Sequence, residues 1–240
     1  MSPDRLFEFT RENIDTYLKA VAKEYRKISG KEIPAELILI GGASVLINYG
    51  FRNMTTDIDA MIIAASSMKE AINSVGDRYD LPNGWLNADF KNTSSYTPNL
   101  FRYSEYYRTY SNVVSIRTVS AEYLIAMKLR SGRQYKNDLS DILGILAEHE
   151  KRGIPLNLDQ IKKAFIDLYG NWDLISDSSR TFVENIMKKR NFEEQYKEVV
   201  REELDNNILL TEFENHYPGA VKTANADDII LLLRKKDKKN

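Results

Sequence analysis

A short apolar run ending in two glycines constrains this chain more than any other feature. Leu37, Ile38, Leu39 and Ile40 lead directly into Gly41 and Gly42, and then into Ala43, Ser44, Val45 and Leu46. Consecutive aliphatic residues with no polar interruption suit a buried strand. Gly-Gly then lets the backbone turn sharply and brings main-chain N–H groups close to a ligand, because neither residue carries a Cβ. The stretch 43–49 reads as a short helix. A strand, a glycine turn and a helix N-terminus together suit an anion, since unpaired N–H groups and the positive end of the helix dipole point the same way. Ser44 adds a hydroxyl.

Fifteen residues after Gly42 comes Asp57-Ile58-Asp59, within the apolar, β-branched stretch Thr56–Ile63. On a strand, residues two apart share a face, so both carboxylates project together and Ile58 turns into the core. Adjacent like charges need a partner, and hard cations such as Mg2+ are held by one or two carboxylates plus substrate phosphates. Taken singly, Gly-Gly is a plain turn and Asp-Ile-Asp a solvated edge strand. Together, in this order, they describe a phosphate cradle beside a metal site.

Composition narrows the setting. The chain has no cysteine among its 240 residues, which removes disulfides, thiolate-ligated zinc and thiol nucleophiles and fits a reducing cytoplasm. The N-terminal Met1-Ser2-Pro3-Asp4-Arg5 lacks a basic segment followed by an apolar core, so no secretory signal is expected. No apolar run approaches the ~20 residues of a membrane helix, so no membrane partner is expected either. A net charge of −1, from 34 basic and 35 acidic residues, argues against coating nucleic acid by bulk positive charge. Locally, Arg102, Arg108, Arg117, Lys128, Arg130, Arg133 and Lys136 interleave with Tyr103, Tyr106, Tyr107 and Tyr110. That mixture reads either as a surface for phosphates and unstacked RNA bases or as the solvated face of a hairpin.

The periodicity predicts a helix over 3–28, with Leu6, Phe9, Ile14, Leu18, Val21 and Tyr25 on one face, and another over 68–79. Residues 81–100 read as a loop holding a short strand from Trp85 to Phe90, with Asp89 in it, and residues 101–118 as one or two strands. Ser120 is a natural N-cap for a helix that Gly132 ends. Ala121, Leu124, Ile125 and Lys128 share a stripe of it, which raises the question of what pairs with a lysine so placed. The next helix opens with Asp138 and Asp141, three apart and on one face, with Leu139, Ile142, Leu143 and Leu146 supplying apolar side chains. Carboxylates in a first turn are also ordinary partners of the helix dipole. Beyond Pro155, helical patterns recur over 158–169, 178–189 and 192–213. The expected organisation is therefore a domain over 1–150 followed by a helical domain over 151–240.

The sequence Gly41-Gly42-Ala43-Ser44-Val45-Leu46, then Gly50-Phe51-Arg52, then Thr56-Asp57-Ile58-Asp59, resembles the nucleotidyltransferase superfamily and, within it, the AbiEii-like branch of bacterial toxin-type nucleotidyltransferases. The resemblance covers roughly residues 35–146 and implies an α+β fold, a mixed β-sheet flanked by helices, with a C-terminal helical domain. It implies transfer of a nucleoside monophosphate from an NTP to a hydroxyl, releasing pyrophosphate, with Mg2+ or Mn2+ at Asp57 and Asp59 and the nucleotide at Gly41, Gly42, Ser44 and Lys128. A third carboxylate commonly completes the metal site of the superfamily, for which Asp89 is the candidate. In the toxin branch a lysine and a later aspartate join the catalytic residues. Lys128 matches the former; Asp138 and Asp141 compete for the latter, as general base or further ligand, with Asp138 slightly favoured. The implied acceptor is tRNA or another RNA and the implied protein partner an antitoxin. A small-molecule nucleotidyltransferase and a non-catalytic nucleotide-binding module are the alternatives.

Overall fold

The computed structural model describes residues 7–222 and 224–237. It separates into two compact units, Met1–Met127 with Lys163–Gly170, and Lys128–Lys162 with Asn171–Asn240.

The first unit is built on a mixed sheet. Strands β2 (Ala35–Leu39), β4 (Ile58–Ile63), β5 (Leu86–Asn87), β6 (Ser104–Tyr110) and β7 (Val114–Val119) lie in the order β5-β4-β2-β7-β6. The central strand β2 runs antiparallel to β4 and parallel to β7, and β4 runs parallel to β5. Helices α1 (Ile14–Ser29) and α3 (Ser67–Tyr79) pack on one another, and the short helix α2 (Gly41–Asn48) follows β2 directly. Leu37, Ile38, Leu39 and Ile40 are all essentially fully buried, as an uninterrupted aliphatic run requires of a central strand. Phe9, Tyr17 and Trp85 meet in an aromatic cluster within this core, and the Trp85 indole N–H donates to the Ile72 carbonyl at 3.3 Å.

The first predicted helix is shorter than its periodicity suggested, and Leu6 lies outside the described residues. Phe9–Thr10 forms strand β1 instead, antiparallel to β3 (Met54–Thr55). Asn13 explains the change: its side-chain oxygen accepts from the Thr10 N–H at 2.8 Å and its amide donates to the Glu8 carbonyl at 2.9 Å. A side chain that bonds backbone locally in this way competes with helix, so α1 starts only afterwards. The strand expected from Trp85 to Phe90 is likewise cut to Leu86–Asn87. Asn87 Oδ1 accepts from the Asp89 N–H at 2.8 Å, an Asx turn that ends the strand and starts a 3₁₀ turn over Asp89–Asn92. Asp89 is therefore not on a strand.

Helix α4 (Ala121–Ser131) carries residues of both units, as does α6 (Leu158–Tyr169). The second unit also contains α5 (Asp138–Lys151), α7 (Asp177–Lys189), α8 (Phe192–His216) and α9 (Ala226–Asp237). Helix α8 packs against α5, α7 and α9, and Leu210, Ala226 and Ile230 bury a small apolar cluster where α8 meets α9. No described helix is long and apolar enough to cross a membrane.

Candidate active site

Two groups of predicted residues come together, one in each unit. In the first, β2 delivers the chain to Gly41, whose φ of +54° lies in the left-handed region that side chains resist. Helix α2 begins there with no side-chain cap at its N-cap, Ile40, so its first N–H groups have no donor-satisfying side chain from that position. The Ile40 N–H donates to the Asp59 carbonyl at 3.0 Å, which fixes the backbone of Asp59 against the turn. Its carboxylate follows: a Cβ on Gly41 would lie 3.7 Å from Asp59 Oδ2. Ile58 and Ala60 are buried in the core while Asp59 is half-buried and Asp57, just before β4, is exposed. Ile58 thus turns into the core, Asp59 stands half-buried beside the turn, and Asp57 precedes the strand in an exposed position.

Gly42 is required for a different reason. A Cβ there would stand 2.7 Å from Thr55 Oγ1 and 2.9 Å from Arg52 Nη2, closer than real Cβ atoms approach. Arg52 is held in place through its Nε, which donates to the Met54 carbonyl at 3.0 Å. The turn is accordingly flanked by a carboxylate beside Gly41 and a guanidinium over Gly42. Arg52 was not singled out as a site residue from sequence, although it lies within the Gly50-Phe51-Arg52 motif. Ser44 turns the other way: it is completely buried, and its hydroxyl accepts from the Val119 N–H at 3.2 Å. Asp89 is exposed, and the β5 residue in register with Asp59 is Asn87.

Oxygen donors of this kind suit a hard divalent cation. Among the described residues no three or more His, Cys, Asp or Glu side chains gather as a metal cage. Asp57 and Asp59 fit a site of the other type, in which two carboxylates share the ion with oxygens of the substrate.

In the second unit Lys128 meets both predicted aspartates. Its ammonium lies 3.0 Å from Asp138 Oδ1 and 2.6 Å from Asp141 Oδ2, and all three residues are buried. Residues 138 and 141 are one turn apart at the start of α5, which is why both reach one ammonium. Arg133 adds a forked contact to Asp138, with Nε 2.8 Å from Oδ2 and Nη2 3.2 Å from Oδ1. Burial alone would raise the Asp138 carboxyl, but the charges and hydrogen bonds of Lys128 and Arg133 outweigh it and hold the group well below the usual carboxylate range. Glu203 of α8 is the second residue that sequence reading missed. It is 4% exposed and accepts from the N–H groups of Leu139, at 2.9 Å, and Ser140, at 3.3 Å. Burial pushes its carboxyl up to about 7, the Ser140 and Leu139 groups opposing and Asp141 adding to the rise.

Several of the predicted basic residues have internal partners. Arg108 pairs with Asp15 at 3.0 Å, and Arg117 donates to the Ser104 hydroxyl at 2.8 Å and to the Ser104 carbonyl. Tyr107 donates to Asp15, and Tyr110 is buried. Arg102 and Tyr106 are exposed.

No curated protein and no solved structure matches the chain. A family model does, over residues 16–202, a span that contains both glycines, Asp57 and Asp59, Lys128, Asp138 and Asp141. On that match, which takes in well over half of its length, the chain belongs to the family described as nucleotidyltransferase of unknown function (DUF6036).

Proposed function

We propose that this nucleotidyltransferase moves a nucleoside monophosphate from an NTP to a hydroxyl acceptor in a reaction that depends on Mg2+ or Mn2+. The observation that carries the reading is the Gly41-Gly42 turn, where the Asp59 carboxylate and the Arg52 guanidinium flank consecutive glycines at a helix start. Backbone N–H groups at the positive end of a helix dipole, with a guanidinium nearby, are the groups that recognise phosphate, and a triphosphate supplies it.

In the reaction the acceptor oxygen bonds to the α-phosphorus, the bond from that phosphorus to the bridging oxygen of the β-phosphate breaks, and pyrophosphate leaves with the electron pair. Asp57 and Asp59 would hold the metal, which would supply positive charge to offset the phosphate oxygens. Gly41 and Gly42 offer backbone N–H groups to the phosphates, Arg52 contacts them by charge, and Ser44 braces the helix that carries the turn. By the resemblance, Lys128 stabilises charge on the departing pyrophosphate. Asp138, held as an anion between Lys128 and Arg133, is a weak base and serves to orient the lysine. By the resemblance, Asp138, Asp141 or, more remotely, Asp89 would act as general base or as a further metal ligand.

The proposed acceptor is the 3′ end of a tRNA or another RNA, and the proposed biological role that of a toxin restrained by an antitoxin protein. Incubation with each labelled NTP, Mg2+ and total RNA, followed by electrophoresis, tests this directly. Label entering a tRNA band, and lost with Asp57→Ala, supports the reading. Turnover without RNA would replace it with small-molecule transfer. Tight metal-dependent NTP binding without pyrophosphate release would replace it with a non-catalytic module. Growth arrest on expression, relieved by Asp57→Ala, is the expected cellular outcome.

A further inference from the structure

The start of helix α5 is capped from a distance. Its N-cap residue, Asn137, makes no side-chain capping bond. The N–H groups of Leu139 and Ser140, two of the donors that a helix leaves unpaired, go instead to Glu203, sixty-odd residues later on α8. These two residues sit between Asp138 and Asp141, so the turn that Glu203 holds is the turn that presents both carboxylates to Lys128. Two more side chains act on the segment leading into it. Asn206 donates to the Gln134 carbonyl at 2.8 Å, and Asp227 of α9 accepts from the Gln134 N–H at 3.2 Å. Glu203, Asn206 and Asp227 all lie beyond residue 202, where the family match ends.

A local Ser, Asp or Asn would satisfy the same N–H groups at little cost. Glu203 is costly: it is buried where the Asp141 carboxylate repels its charge, and its Oε2 has no hydrogen-bond partner. The upward displacement of its carboxyl reports that cost. An expensive acidic cap at this turn gains an account if the geometry it sets matters to the buried ammonium.

We infer that Glu203 is a positioning residue for Lys128, fixing through the first turn of α5 the spacing at which Asp138 and Asp141 grip the ammonium. The C-terminal helices α8 and α9 then serve the reaction by holding this turn. The inference rests on the reading of Lys128 as a residue of the transfer reaction.

The test uses the full chain with two substitutions. Glu203→Gln keeps an acceptor in place, and Glu203→Asp withdraws it by one methylene. The buried Lys128 ammonium is followed by NMR through its slowly exchanging protons, assigned by their loss in Lys128→Met, and label transfer is measured alongside. With Glu203→Asp the signal broadens or shifts and kcat falls about a hundredfold, the scale of an ångström-sized misplacement. KM for the NTP stays within about twofold, since binding is not what the residue governs. Glu203→Gln retains both signal and kcat. A folded Glu203→Asp protein with the wild-type signal and kcat overturns the inference. If that variant does not fold, the wild-type and Gln proteins decide: the Lys128 signal follows the Glu203 titration in wild type and loses that inflection with Gln. A signal indifferent to pH in both overturns the inference. Because the NMR measurement needs no turnover, a protein that fails to transfer label would defeat the proposed activity while leaving this inference separately measured.

Discussion

Gly41 and Gly42 are neighbours with different obligations. Gly41 carries the positive φ, so Gly41→Ala strains the backbone by about 1 kcal/mol. Gly42→Ala drives a methyl group into Thr55 and Arg52, and overpacking of that kind costs roughly 1–3 kcal/mol. The Gly42 variant is therefore expected to lose NTP affinity as well as stability, because it displaces the Arg52 guanidinium; a melting curve and an NTP titration read the two losses separately. The buried lysine makes a sharper case. Lys128→Ala leaves Asp138 and Asp141 buried without their shared cation and should cost about 3–5 kcal/mol in a urea titration. Its loss of activity must be judged against that. Glu203 sets a pH dependence. A carboxyl raised from 4.5 to about 7 holds its proton more tightly in the folded state, so stability is greatest below the unfolded pKa and falls as pH rises through about 7. The decline amounts to about 3 kcal/mol by linkage and should vanish in Glu203→Gln, as urea midpoints at acid and alkaline pH will show. Asp138 acts in the opposite sense, its contribution being lost as pH falls below the ordinary carboxylate range.

Helix α2 is tied to the sheet by Ser44, whose hydroxyl receives the buried Val119 N–H. Ser44→Ala leaves that N–H unpaired and should destabilise the protein by about 1–3 kcal/mol. NTP affinity should remain within a few-fold, a result that separates bracing from direct phosphate contact. Elements whose pattern was self-contained were legible in sequence. The run Leu37 to Ile40 reads as a central strand because every residue is aliphatic, and α6 is found at Leu158–Tyr169, the stretch its periodicity marked. Elements defined by a remote partner were not. Phe9–Thr10 is a strand only because Met54–Thr55 lies beside it, and β5 stops after two residues because Asn87 bonds its own turn. Neither condition is written in a hydrophobic period.

For the molecule as a whole, the decisive variant is Asp57→Ala. The side chain is exposed, so its removal should leave the melting temperature unchanged while lowering label transfer by at least about a hundredfold. The amino-acid sequence alone carries the order of strand, glycine turn, helix and Asp-Ile-Asp, because those features depend on residue type and on spacings shorter than a single element. It also determined that Asp138 and Asp141 share a helical face. That Lys128 lies between them, that Arg52 lies over Gly42, that Ser44 turns inward and that Glu203 caps α5 emerges only from the folded chain. Each of these joins positions on different elements, and such distances are set by how apolar faces pack, which no local pattern encodes.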